Sequence, residues 1–356
     1  MAYLTPEDLA RIIEPVVREL CGGAGHITTM PGGASLRRYH RVDVAGGARA
    51  SLVVMELGDN ATKSDEIVKG AMPAELPFIN VQRYLSAAGV AVPDVFRFDT
   101  QHGLVYLEDL GDVTFESRVA DAGDGVRRSY YQAAIDQLVA MQRYAAAHPD
   151  PGCVAFSRGF DFELLHWELE HFREYGLEAQ GLQPTPAERD ELDRQFRAIA
   201  TELAEAPRGF VHRDYQSRNL MVQDVAGGFR LRVIDFQDAL LGTAAYDLVG
   251  LLRDSYVALS PSLLDELVAY HARRAEVALE PFSALFDLQT VQRKLKDAGR
   301  FVFIDRVKKN PSFLVHIPSS LSYVARALSR LPRLASVREI LARHLPQFRG
   351  DGVHQT

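Results

Sequence analysis

The 356-residue sequence predicts an α+β fold in two lobes: a small antiparallel-sheet lobe over residues 1–110 and a larger, mainly helical lobe over residues 111–356. Three observations lead there. The length exceeds what one hydrophobic core usually organises. The first third of the chain mixes short apolar strands with glycine turns, whereas long amphipathic periods dominate from Ser129 onward. The composition, 47% apolar and 24% charged, is that of an ordinary globular chain with a full core.

Thr5 followed by Pro6, Glu7 and Asp8 supplies an N-cap, a proline at the first helical position and acids in the first turn. That helix is expected to run to Leu20 and to end at Cys21-Gly22-Gly23. The stretch PGGASLRRYHRVDV opens as a glycine-rich turn and becomes a strand in which Val42 and Val44 alternate with Arg41 and Asp43. After the turn at Ala45-Gly46-Gly47, Ser51 to Met55 returns as its antiparallel partner. Pro77 to Ala88 has helical periodicity, with Phe78, Val81, Leu85 and Ala88 near one face, and Gly89 closes it. LVYLEDLG at 104–111 reads as a buried strand running into an acidic segment. YYQAAIDQLVAMQRYAA is an amphipathic helix, and further helices are expected near 162–175, 186–204, 261–278, 285–303 and 320–345. The boundary between lobes falls near 108–118.

A formal net charge of −7 argues against nucleic acid as a partner, because that needs a basic field. Cys21 and Cys153 are far apart and in no metal-binding pattern, so neither a disulfide framework nor structural zinc is expected. The N-terminus carries acids and no apolar run of signal-peptide type, and no apolar stretch approaches membrane-spanning length. The expected setting is a reducing cytoplasm, with no membrane insertion.

The chemistry is concentrated in VHRDYQSRNLMVQDVAGGFRLRVIDFQDA, residues 211–239. Asn219 lies five residues after Asp214, and a strand, a Gly227-Gly228 turn and a second strand ending at Asp235 follow. Asn219 and Asp235 are each eight residues from the turn at 227, so a hairpin brings them to its open end, with Asp214 on the preceding loop. Two carboxylates and an amide oxygen in one small volume suit Mg²⁺ together with substrate phosphates. His212, Arg213, Asp214 and Asn219 match the H-R-D-x-x-x-x-N catalytic loop of kinases, and Asp235-Phe236 matches the metal-binding Asp that follows, with Gln237 where glycine is usual. In that pattern Asp214 accepts the proton of an attacking hydroxyl, while Asn219 and Asp235 hold the metal.

The segment resembles the aminoglycoside phosphotransferase-like kinases, small-molecule relatives of protein kinases, and the resemblance covers nearly the whole chain. IDFQDALLGTAAYDLVGLLRDSY, GGASLRRYHRV and VQRKLKDAGRF look further like the bacterial sugar kinases that phosphorylate the anomeric hydroxyl of N-acetylmuramate and N-acetylglucosamine in cell-wall recycling. The resemblance implies a protein-kinase-like two-lobed fold, ATP and Mg²⁺ as cofactors, and an amino sugar as substrate. It implies that Gly33, Ser35 and Arg37 lie over the nucleotide phosphates, that Glu108 to Leu110 is the hinge against adenine, and that Asp247 stabilises the catalytic loop. Acceptor contacts are then sought at Asp214, Arg253, Asp254, Gln289 and Arg293. Gln289, Arg293 and Lys296 recur at helical spacing, which reads either as a solvated basic face or as a site for a polar sugar substituent. The helix carrying Glu163, His166, Glu168, Glu170 and His171 reads as a solvated face, and Trp167 as core or pocket wall. One departure stands out. Met55 and Glu56 occupy the strand positions where relatives carry a phosphate-binding lysine, and Lys63 and Lys69 fall in a loop. A kinase for another hydroxyl (choline, an amino alcohol or an aminoglycoside) and a pseudokinase that only binds nucleotide are the competing readings.

Overall fold

The computed structural model describes residues 3–31, 37–58 and 75–349. The chain divides into two compact units, Met1–Val113 with Met221–Gln237 and Thr114–Leu220 with Asp238–Thr356.

In the first unit, α1 (Pro6–Cys21) starts at Thr5, whose hydroxyl accepts the Asp8 N–H. It ends at Gly22, at φ 83°, a left-handed cap that favours glycine. Five antiparallel strands, β1 (Gly25–Thr29), β2 (Arg38–Val44), β3 (Ser51–Glu56), β4 (Val95–Asp99) and β5 (Leu104–Leu107), form a sheet in the order β1-β2-β3-β5-β4. The stripe Leu9, Ile13, Val17 and Cys21 of α1 packs with Val42, Val44, Leu52, Val54, Leu104 and Tyr106 as the core. Strands β1 and β4 are the two not foreseen. Both are edge strands, and the polar GHITT and half-buried VFRFD lack the alternation that marks one buried face. The helix α2 (Pro77–Ala87) lies where its periodicity puts it. Beyond β6 (Arg208–Val211, in the second unit), the hairpin of β7 (Leu220–Val225) and β8 (Gly228–Val233) turns at Gly227, at φ 84°. The hairpin packs with the first unit: Val222 N–H bonds Val113 O and Val233 N–H bonds Ala91 O, each at 2.8 Å.

The second unit holds α3 (Phe115–Val119), α4 (Asp124–Ala147), α5 (Phe162–His171), α6 (Pro186–Glu205), β9 (Leu240–Thr243) paired antiparallel with β6, α7 (Ala245–Leu252), α8 (Pro261–Ala275), α9 (Leu279–Lys308), α10 (Ile317–Ser329) and α11 (Ala335–His344). The helix expected over 320–345 is broken, because Pro332 has no N–H to continue it. The helix expected to reach 175 loosens into a π-helical turn over Phe172–Leu177. That turn crowds α9 at Gly299, where a Cβ would stand 2.7 Å from the Phe172 Cα, so only glycine fits. Cys21 and Cys153 are buried free thiols. No helix among the described residues is long and apolar enough to cross a membrane.

Candidate active site

Strand β6 delivers His212, Arg213 and Asp214 at its end. The loop that follows has no sheet partner and only a short 3₁₀ turn at Ser217–Asn219, so side chains must satisfy much of its backbone. Asp247, wholly buried on α7, accepts from His212 N–H at 2.7 Å and from Arg213 N–H at 2.9 Å. Burial pushes its carboxyl up, although the loop bonds and the nearby His212 and Arg293 pull the other way. Asp254 does the same work four residues along, taking the N–H groups of Ser217 (2.8 Å) and Tyr256 (3.0 Å). Its carboxyl is likewise raised by burial. Arg213 sits at φ 80°, a conformation that costs a non-glycine residue about 1–3 kcal/mol. The Arg293 Nη1 donates to the Arg213 carbonyl at 2.6 Å, and Nη2 stands 3.7 Å from the Asp214 carboxylate. The Asn219 Nδ2 donates to the Asp214 carbonyl at 2.9 Å. Asp214 itself keeps a side chain 38% exposed, between the buried Arg213 and Tyr215.

In the first unit, Asp235 follows β8 at φ 64°, and one of its oxygens accepts from the Gln237 amide at 2.8 Å. Gln237 thus bonds the carboxylate from the position where the kinase pattern has glycine. Phe236 is fully buried against Phe78 of α2, with ring centroids 4.9 Å apart, which anchors Asp235. Tyr39 on β2 is the cross-strand partner of Met55. Its hydroxyl is pushed up by burial, with Arg37 hydrogen-bonded to it and Asp235 near enough to add to the shift. Glu56 is engaged elsewhere: it accepts from Leu4 N–H at 2.6 Å and faces His40 at 3.3 Å. Arg38 lies over the Tyr3 ring. Glu108 pairs with Arg232 (2.9 Å), Leu110 is buried, and Glu75 pairs with Arg83. Gly33, Ser35, Lys63 and Lys69 lie outside the described residues.

Helix α9 departs most from expectation. Gln289, Arg293 and Lys296 do not form a solvated face: all three are buried. Thr243 donates to Gln289, Gln289 to Gln292, and Gln292 to Glu168, which lies 4.0 Å from the Arg213 guanidinium. Glu168 and His171 are therefore interior groups, whereas Trp167 is 45% exposed. Arg253 is wholly buried, 3.9 Å from Asp287. Burial pulls Arg253 down to about 10 and pushes Asp287 up to about 6. Asp297, one turn beyond Arg293, is desolvated, but Lys294, Lys296 and Arg293 outweigh that and hold its carboxyl well below the usual range. Tyr39, Gln292 and Asp297 were not singled out from the sequence. Their only signal is a polar residue set among apolar ones, such as Gln292 beside Val291 and Leu295.

Each unit by itself offers a hard oxygen donor of the kind that suits Mg²⁺: in the second, the Asn219 amide, whose Nδ2 bonds the Asp214 carbonyl, and in the first, the Asp235 carboxylate. His166, Glu170 and Asp193 also gather one ligand atom each, but Arg173 and Arg197 already pair with the two carboxylates.

The chain is 33% identical over 330 residues to the N-acetylmuramate/N-acetylglucosamine kinase of Pseudomonas aeruginosa, covering 88% of this chain and 87% of the relative. It is 31% identical over 328 residues to the enzyme of the same name from Pseudomonas putida, covering 90% and 88%. Among solved structures, an aminoglycoside 2'-phosphotransferase-IIIa in its GDP complex superposes with a TM-score of 0.60 at 14% identity, over 92% of this chain and all of that one. A choline kinase from Cryptosporidium parvum superposes at 0.58 and 12% identity, over 95% and 99%. These structures establish a kinase-like fold. Residues 26–282 match the phosphotransferase enzyme family, and the chain belongs to that family.

Proposed function

We propose that this phosphotransferase uses ATP and Mg²⁺ to phosphorylate the anomeric hydroxyl of N-acetylmuramate and N-acetylglucosamine. The observation that carries the reading is the part-exposed Asp214 carboxylate at the end of β6, on a backbone fixed by the buried Asp247 and Arg293, in a chain whose relatives over about nine-tenths of its length bear that name. Asp214 accepts the proton of the attacking hydroxyl as the new O–P bond forms and the bond to the β-phosphate oxygen breaks. An anomeric hydroxyl is more acidic than an ordinary alcohol, so one aspartate suffices as its base. Asn219 and Asp235 are the residues that would hold Mg²⁺, which when bound neutralises phosphate charge. Arg37, supported by the Tyr39 hydroxyl opposite Met55, is the cation we assign to the phosphates in place of the strand lysine. Gly33, Ser35, Glu108 and Leu110 complete the nucleotide contacts in this proposal. Arg253, Asp254 and Gln289 support the acceptor side from within, because all are buried.

The test is turnover with N-acetylmuramate, N-acetylglucosamine, choline and an aminoglycoside, with the product assigned by NMR. The expected product is a sugar 1-phosphate, and Asp214→Asn should lower kcat about 10²–10⁴-fold while nucleotide still binds. Turnover of choline or the aminoglycoside alone overturns the sugar assignment. Nucleotide binding without turnover of any acceptor would establish the pseudokinase reading that Met55 and Glu56 invite.

A further inference from the structure

We infer that Arg293 is a positioning residue that sets the catalytic loop, and that it does not read the acceptor. The inference rests on the kinase reading above. Arg213 is the only residue between His212 and the base Asp214, and its backbone is held on both sides. On its N–H side stands the Asp247 carboxylate of α7 at 2.9 Å, and on its carbonyl side the Arg293 guanidinium of α9 at 2.6 Å. Two buried charges of opposite sign, from two helices, thus clamp one residue in a left-handed conformation at φ 80°. The next residue is Asp214, so any relaxation of Arg213 swings the base.

The surroundings of Arg293 are built for this contact. Its guanidinium lies over the Tyr246 ring, 4.4 Å from the centroid. At Gly250 a Cβ would stand 3.1 Å from Arg293 Nη2 and 2.9 Å from the Tyr215 carbonyl, so a larger residue on α7 would push the guanidinium from the loop. Arg293 is 2% exposed, and both terminal nitrogens are turned to residues 213 and 214. At 3.7 Å the contact with Asp214 is too long for a hydrogen bond and close enough for charge attraction. Lysine cannot replace this group. A single ammonium cannot bond the Arg213 carbonyl, stand at Asp214 and lie flat on Tyr246 at once.

The experiment compares Arg293→Lys, Arg293→Met and Gly250→Ala with the parent. The expected result is a kcat lowered about 10–100-fold, as a displaced catalytic group produces. The KM for each sugar and the affinity for Mg-ATP should stay within about twofold, since positioning acts on the chemical step. Arg293→Ala should regain part of its kcat when guanidinium is added at low millimolar concentration, which general damage to the fold would not permit. Arg293→Lys keeps the buried charge and most of the volume, so it tests the inference should Arg293→Met or Arg293→Ala misfold, and Gly250→Ala, which crowds both the guanidinium and the Tyr215 carbonyl, should lower kcat as well. A selective rise in KM for N-acetylmuramate over N-acetylglucosamine, with kcat unchanged, would overturn the inference and make Arg293 a contact to the substrate carboxylate. A kcat within threefold of the parent in Arg293→Met would overturn it as well. If the parent phosphorylates neither sugar, the sugar reading fails by itself. The ratio of variant to parent is then taken on ATP hydrolysis by water, which uses the same loop.

Discussion

Asp247→Asn is the sharpest test of how the active loop is held. The parent carboxylate takes two backbone N–H groups, at 2.7 and 2.9 Å, in a fully buried setting. An amide of the same shape keeps one oxygen and turns an NH₂ toward the other donor. One charge-assisted bond is lost outright and the survivor is weakened, and such bonds contribute about 1.5–3 kcal/mol each. Part of the loss is offset, because the raised carboxyl pKa reports that burying the charge is itself unfavourable. The net expectation is a loss of about 2 kcal/mol, which for a chain of this size lowers Tm by roughly 3 °C. Activity should fall more steeply than stability, because freeing the Arg213 N–H releases a strained residue next to the base. A drop in kcat of at least about tenfold is expected, and Asp247→Ala, which removes both acceptors and leaves a cavity, should be worse on both counts. Thermal melts and initial rates decide it. A Tm within 1 °C and a kcat within twofold of the parent would refute the idea that Asp247 holds the loop.

Asp235→Ala should weaken Mg-nucleotide binding as well as turnover, as titration calorimetry with and without Mg²⁺ would show; a loss of acceptor affinity alone contradicts the metal assignment. Glu188 accepts from Thr185 N–H and pairs with Arg343 and His344, which together hold its carboxyl down at about 2. A depressed carboxyl contributes stability above pH 4.5 that is lost as pH falls toward 2. Glu188→Gln should therefore destabilise by about 1–2 kcal/mol at pH 7, screening at half-exposed Arg343 limiting the effect, and the gap should close in melts near pH 3. A gap independent of pH counts against it. Arg253 and Asp287 are both penalised by burial, so Arg253→Met with Asp287→Leu should be neutral or stabilising, whereas Arg253→Met alone should destabilise by leaving the buried Asp287 only the more exposed Arg330 as a partner. Denaturant midpoints that fall as far in the double variant as in the single one would show that the pair is worth more than its burial costs.

What the sequence made legible was what depends on short spacing. The His212 to Asn219 loop, the Asp235-Phe236 strand end, the α1 cap at Thr5 and the β2–β3 hairpin all rest on residues a few positions apart, and the folded chain places them accordingly. The burial of α9 was not legible, for a reason of distance. Glu168 and Gln292 are 124 residues apart, Thr243 and Gln289 are 46 apart, and Arg293 bonds a carbonyl 80 residues away. A polar residue at helical spacing looks the same from the sequence whether it meets water or a distant loop. Only the apolar neighbours Leu288, Val291 and Leu295 hinted that this face turns inward.

The buried charges around the loop follow from the loop's own backbone. Asp214, the base of the proposed reaction, sits just past the end of β6, where the strand pairing with β9 stops at Val211 and helical bonding has not begun. The N–H groups of residues 212, 213 and 217 and the carbonyl of 213 would be left without partners there, and an unpaired buried backbone group costs about 1–3 kcal/mol. Asp247 serves two of the donors, Asp254 the third, and Arg293 the acceptor. The signs are dictated by the partners: N–H groups draw carboxylates and a carbonyl draws a guanidinium. Apolar residues of equal volume would fill the space and leave the loop free to rearrange. A polar interior around Asp214 is thus what an irregular, half-exposed base requires of the helices behind it, and it accounts for these three charges without any contact to the acceptor.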